Sequence, residues 1–159
     1  MNNEELQVYT ARITQANRSE LVVIVYEIIL SDLASAKKSY SEGDVATFEK
    51  YLKHAQKSIN ELMNALDFNY KLSLDLMQLY MYANKRIIIS LLKKKPDMLD
   101  SVEKVIHSLL IGFEGVAKED QSGPVMQNTQ QLYAGLTYGK GTLNETFLDP
   151  KDQFRGYKA

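Results

Sequence analysis

The sequence predicts an all-α chain: an antiparallel up-down-up-down four-helix bundle with an N-terminal arm and a mostly irregular C-terminal tail. Three observations carry that reading. Glycine is rare up to Asp120 (Gly43, Gly112, Gly115), whereas Gly123, Gly135, Gly139, Gly141 and Gly156 follow it, with Pro124 and Pro150. Between Asn17 and Val116 the apolar residues recur at steps of three and four, the period of a helix packed along one stripe. The segments so defined are joined by short turns, which makes successive helices antiparallel neighbours. The boundaries are residues 1–16 for the arm, 17–120 for the bundle and 121–159 for a loop-rich extension with room for one short helix.

The first bundle helix starts at Asn17, a good N-cap, and Glu20 three residues on completes a capping-box pattern. Its core stripe is Val22, Tyr26, Ile29, Leu33, Ala36 and Tyr40, and Gly43 supplies the left-handed residue that closes it. Asp44 caps the next helix, whose stripe runs Val45, Phe48, Leu52, Ala55, Ile59, Leu62 and Leu66 without interruption. A turn around Asp67–Asn69 leads into a third helix reaching Lys93, with Leu76, Tyr80, Ala83, Ile87 and Leu91 toward the core. Lys93, Lys94 and Lys95 suit its negative dipole end, and Pro96 stops it and fits the first turn of the fourth helix. That helix shows Leu99, Val102, Ile106, Leu109, Phe113 and Val116. The arm spreads Leu6, Val8, Tyr9 and Ile13 among polar residues, and the sequence does not decide whether it lies along the bundle.

Composition excludes several function classes. A net charge of −1 gives no support for a general nucleic-acid or membrane-surface binder. Cysteine is absent, which removes disulfide and thiolate chemistry. The acidic N-terminus lacks the basic and apolar regions of a secretory signal, and no apolar run reaches the ~18–20 residues of a membrane span, so the expected location is cytoplasmic. A di-iron bundle needs Glu-x-x-His pairs; His54 and His107 have no Glu three residues before them and fall on the polar side as solvated histidines. Gly135–Gly141 lacks the frame of a phosphate loop and follows no strand. The expectation is therefore no enzyme, no cofactor and no metal. Ten tyrosines and no tryptophan make Tyr9, Tyr80 and Tyr82 candidates for touching a partner.

Two helices carry more apolar surface than one seam uses. Beside its core stripe, the first bundle helix has Leu21, Ile24, Val25 and Ile28; the third has Leu74, Met77, Met81, Ile88 and Leu92. Burying a Leu, Ile or Val is worth roughly 1.5–3 kcal/mol. Four such residues left wet forgo about 6–12 kcal/mol, comparable to the ~5–15 kcal/mol net stability of a domain. The spare stripes fit a groove for another protein's amphipathic or extended segment; alternatively both stripes enter one bulky core, or the C-terminal tail or a second copy in a homodimer covers them. Methionine suits an adaptable surface.

The stretch from Tyr9 to about Val116 resembles the FliS family of flagellin-specific export chaperones. Gln15-Ala16-Asn17-Arg18-Ser19-Glu20-Leu21 leading to Val25-Tyr26-Glu27 is similar to the family's Thr-Ala-Ser-Pro-x-Glu-Leu, apolar stretch and Leu-Tyr-Asp. His54-Ala55-Gln56-Lys57-Ser58-Ile59-Asn60-Glu61-Leu62, then Leu66-Asp67, resembles Ala-Gln-x-Ile-x-x-Leu followed by Leu-Asp. Leu79-Tyr80-Met81-Tyr82 resembles Leu-Tyr-Asp-Tyr/Phe. Three positions depart: Asn17-Arg18 stands for Ser-Pro, Met81 for Asp, and Phe113 for a frequent Trp.

The resemblance implies a bundle that holds the disordered C-terminal segment of new flagellin, prevents early polymerisation and presents it to the flagellar export gate. The expected state is a monomer or weak homodimer, with no nucleic-acid partner and no membrane insertion. On this reading the binding groove combines Leu21, Ile24, Val25 and Ile28 with Leu74, Met77, Met81 and Ile88 across from them. Val8, Tyr9 and Ile13 of the arm serve as a movable cover. The tail, with Val125, Leu132, Tyr133, Leu136 and Tyr138, is expected to lie against the bundle, masking the groove or enlarging the core.

Overall fold

Five helices, not four, account for the secondary structure. The computed structural model describes residues 2–126: α1 (Asn3–Gln15), α2 (Arg18–Ser41), α3 (Val45–Asn64), α4 (Leu72–Lys93) and α5 (Leu99–Glu119), with no strand among the described residues. The chain is all-α. The arm is the correction, being helical in its own right. Asn2 accepts from the Glu5 N–H at 2.8 Å while the Glu5 carboxylate accepts from the Asn2 N–H at 3.2 Å, a reciprocal box that satisfies two orphan donors. Asn17 and Glu20 repeat that device at the start of α2, both bonds at 2.9 Å. In the arm the apolar residues are too dispersed to advertise a stripe, so the Asn2–Glu5 spacing was its only strong sequence signal.

The described residues divide into two units: residues 2–16 with 123–126, and residues 17–122. In the first, the Val125 N–H donates to the Ala16 carbonyl at 3.0 Å, so the segment after Ser122 pairs with the end of α1. The expected packing of Leu132, Tyr133, Leu136 and Tyr138 lies outside the described residues.

The second unit holds α2–α5 around one core. α2 packs on α3 and α5, and α4 packs on the same two helices, so α2 and α4 stand on a diagonal. Tyr26, Ile29, Leu33 and Ala36 meet Phe48, Leu52, Ala55 and Ile59, then Tyr80, Ala83 and Ile87, then Leu99, Val102 and Ile106, all buried. These are the predicted seams, except that Val45 and Val116, at the ends of theirs, are exposed. Val22 and Tyr40, at the edges of theirs, are partly buried against the cluster.

Polar contacts tie each neighbouring pair near its ends. Ser19 donates to the Asp120 carboxylate at 2.8 Å, and Lys37 reaches Asp100 (2.5 Å) and Glu103 (2.7 Å) at the opposite ends of α2 and α5. Beside these, the Tyr40 ring meets that of Phe48 at a tilt, 5.3 Å between centroids, Glu49 pairs with Lys94, and Arg86 Nε donates to Ser101 Oγ at 2.9 Å.

The turns are locally encoded. Gly43 has φ +81° and donates to the Tyr40 carbonyl, and Asp44 accepts from the Thr47 N–H at 3.0 Å. α4 ends on Lys94 at φ 54°, a left-handed position that usually takes glycine, followed by the Lys95 N–H donating to Ser90. Pro96 lies in the connection rather than in the first turn of α5; its carbonyl accepts from the Leu99 N–H at 3.0 Å.

Candidate protein-binding surface

The extra stripe of α4 is in water. Leu74 is 59% exposed, Met81 57%, Ile88 38% and Leu92 79%, with Met77 half-buried at the edge. The reason is geometric. α4 turns Leu76, Tyr80, Ala83 and Ile87 into the core, and residues half a turn away face outward between the two neighbouring helices.

The corresponding stripe of α2 is mostly closed. Ile24 is 2% exposed, Val25 packs against the core, and Leu21 and Ile28 are half-buried. Val23 and Ile24 are buried without belonging to the shared core cluster. Because α2 and α4 are diagonal, the width of α3 or α5 separates their outer stripes, and the two do not form walls of a single groove. In α1, Val8 is exposed and Tyr9 and Ile13 are half-buried, with the Arg12 guanidinium 5.8 Å from the Tyr9 ring centroid.

The tyrosines separate by role. Tyr80 is sealed in the core, its hydroxyl 2.5 Å from that of Tyr26, so it is not a partner contact. Burial raises the pKa of both phenols, keeping them neutral, and Phe113 meets the Tyr26 ring edge-on at 5.7 Å. Tyr26 and Tyr80, which carry much of the sequence resemblance, therefore join opposite helices through the middle of the core. Tyr82 remains exposed, with the Arg86 guanidinium 5.0 Å from its ring centroid.

His54 is exposed, as expected, but it has a buried partner. Its Nδ1 lies 2.6 Å from a carboxylate oxygen of Asp32, a buried acid whose pKa is raised by desolvation and partly lowered again by that contact. His107 is exposed, as expected. At the end of the unit where α5 finishes, a cavity of about 230 Å³ is lined by Val22, Leu62, Leu66, Leu76, Tyr80 and Phe113, among others. Sequence reasoning did not find it, because it forms where four helix ends diverge, a property of no single stripe.

What the exposed face of α4 offers is apolar contact. Among the described residues no helix is long and apolar enough to cross a membrane. A search of curated proteins finds no match. The family model described as flagellar protein FliS matches residues 1–121, from the first helix through the last core helix, and the chain belongs to the FliS family of flagellar export chaperones.

Proposed function

We propose that this protein binds the C-terminal segment of flagellin in the cytoplasm, holds it back from polymerising and hands it to the flagellar export gate. In this reading α2–α5 act as an up-down-up-down bundle, monomeric or weakly dimeric, that serves as a rigid support. The observation that carries it is the row of Leu74, Met81, Ile88 and Leu92 standing in water on a helix whose other face is fully packed. A client that is disordered when free can lay extended or helical pieces on such a row. Ordering the client offsets part of the contact energy and keeps release feasible.

Leu74, Met77, Met81 and Ile88 form the main seat. Leu21 and Ile28 add contacts on a separate face, and Val25 supports it from the core edge. Ile24, sealed in the present conformation, joins only if the side chains over it move aside. Val8, Tyr9 and Ile13 of α1 are assigned to client contact as well. The test is to seed flagellin polymerisation with and without an equimolar amount of this protein, beside calorimetric titration of the flagellin C-terminal peptide. A lengthened lag together with saturable one-to-one binding is expected. Unchanged growth and no heat of binding would reject the proposal.

A further inference from the structure

The open face of α4 has a finer pattern than a loose apolar patch. Leu74, Gln78, Met81, Lys85, Ile88 and Leu92 follow one another at steps of four, three, four, three and four, and all six are exposed. That is the spacing of a coiled-coil seam, about 27 Å long at ~1.5 Å per residue. A surface so spaced is matched by another helix, whose side chains enter the holes between these residues.

Charge then decides what kind of helix. Lys85 stands inside the seam, between Met81 and Ile88, and exposed lysines close both ends: Lys71 just before α4, Lys93 at its last residue and Lys95 beyond it. The polarity extends further. From residue 45 to 95 Lys and Arg outnumber Asp and Glu by more than two to one, whereas from 96 to 120 the acids outnumber them by three to one. We propose that the α4 seam receives one amphipathic helix of net negative charge, with a carboxylate opposite Lys85 and acidic residues at both of its ends. The proposal rests on reading α4 as the binding surface, and specifies the chemistry of what sits there.

A second copy of this chain fits poorly. Parallel pairing through the seam sets Lys85 on Lys85; antiparallel pairing sets Lys71 against Lys93 and Lys95 and leaves the two Lys85 side chains about a turn apart. Nucleic acid also fits poorly, since the seam positions between the lysines hold Leu, Gln, Met and Ile, none of them a ring on which a base would stack.

The test uses the full chain and two synthetic three-heptad peptides. Both carry Leu and Ile at the seam positions; one has Glu at the flanking positions and the other Lys. Fluorescence anisotropy should show the Glu peptide binding at least about tenfold tighter at low salt, with the preference shrinking as salt rises. Lys85→Glu should erase or invert that preference, and Met81→Asp should abolish binding of both peptides, while circular dichroism shows both variants folded. Equal affinity for the two peptides, binding of neither, or a preference unmoved by Lys85→Glu would overturn the proposal. So would displacement of the Glu peptide by oligouridine at lower concentration, or a dimer in sedimentation that Met81→Asp dissolves. The flagellin C-terminal peptide, run in parallel, separates the two readings. If it binds and survives Lys85→Glu while the Glu and Lys peptides bind alike, only the acidic-helix proposal falls. If it fails to bind while the Glu peptide is preferred, only the flagellin assignment falls.

Discussion

Replacing Met81 by aspartate tests the assigned surface most directly. Leu74, Met81, Ile88 and Leu92 together leave the equivalent of more than two whole side chains in water. At roughly 1.5–3 kcal/mol per buried side chain, covering them makes about 3.5–7 kcal/mol of gross contact energy available to a client. Met81, at 57% exposed, accounts for about 0.9–1.7 kcal/mol of it, and a carboxylate in its place adds a desolvation cost when a client closes over it. The combined loss should exceed about 1.4 kcal/mol, a tenfold weakening or more. Because the side chain is exposed, stability should stay within about 0.5 kcal/mol of the parent. Titration calorimetry with the flagellin C-terminal peptide, beside a urea melt, reads both quantities. An unchanged affinity would refute the assignment, and so would a fall in affinity that merely tracks a fall in stability. The same charge at Val25 gives a less clean answer, since Val25 packs on the core and its replacement perturbs folding as well.

The buried tyrosine pair gives a second prediction. Tyr26→Phe or Tyr80→Phe leaves the other hydroxyl without its partner at the centre of the core, which should cost about 1–3 kcal/mol. The double replacement should cost less than the sum, and additive losses in a urea-melt cycle would show that the hydroxyls are not coupled. Acid titration gives a third, in which carboxylates of opposite sign compete. Asp44 is held low by its bonds to Thr47, Asp100 by Lys37, and Asp120 at about 2 by bonds to Ser122 and then Ser19. Each stabilises the fold above the ordinary aspartate value of ~3.9, and that contribution is lost as pH falls through the lowered value. Asp32 is raised by burial, so its penalty is instead relieved as pH falls through its raised value. The urea midpoint should drop between about pH 4 and 2, and Asp32→Asn should remove the opposing component; a midpoint rising steadily over that range would contradict the assignment.

Much of the fold was legible because its information is local. The steps of three and four in Phe48, Leu52, Ala55, Ile59 and Leu62 name a buried stripe whatever lies opposite, and Gly43 followed by Asp44 marks a stop and a start through backbone chemistry alone. The helix of the arm was missed although Asn2 and Glu5 carry the same cap as Asn17 and Glu20. A cap without a visible stripe does not by itself announce a helix. The resemblance to FliS was readable from Tyr26 and Tyr80, and both fall on core stripes, yet the spacing left Tyr80 open to a partner as well: an aromatic ring on a stripe looks the same whether it meets a partner or another tyrosine.

By itself, the sequence determined that the protein is helical, where its core stripes lie and that two helices hold apolar residues in excess. Those properties depend on spacing along one chain. Which excess is open was decided only by tertiary structure. In the fold Ile24 and Val25 are closed off while Leu74, Met81, Ile88 and Leu92 stand in water, because exposure depends on what stands beside a helix rather than on the residues within it.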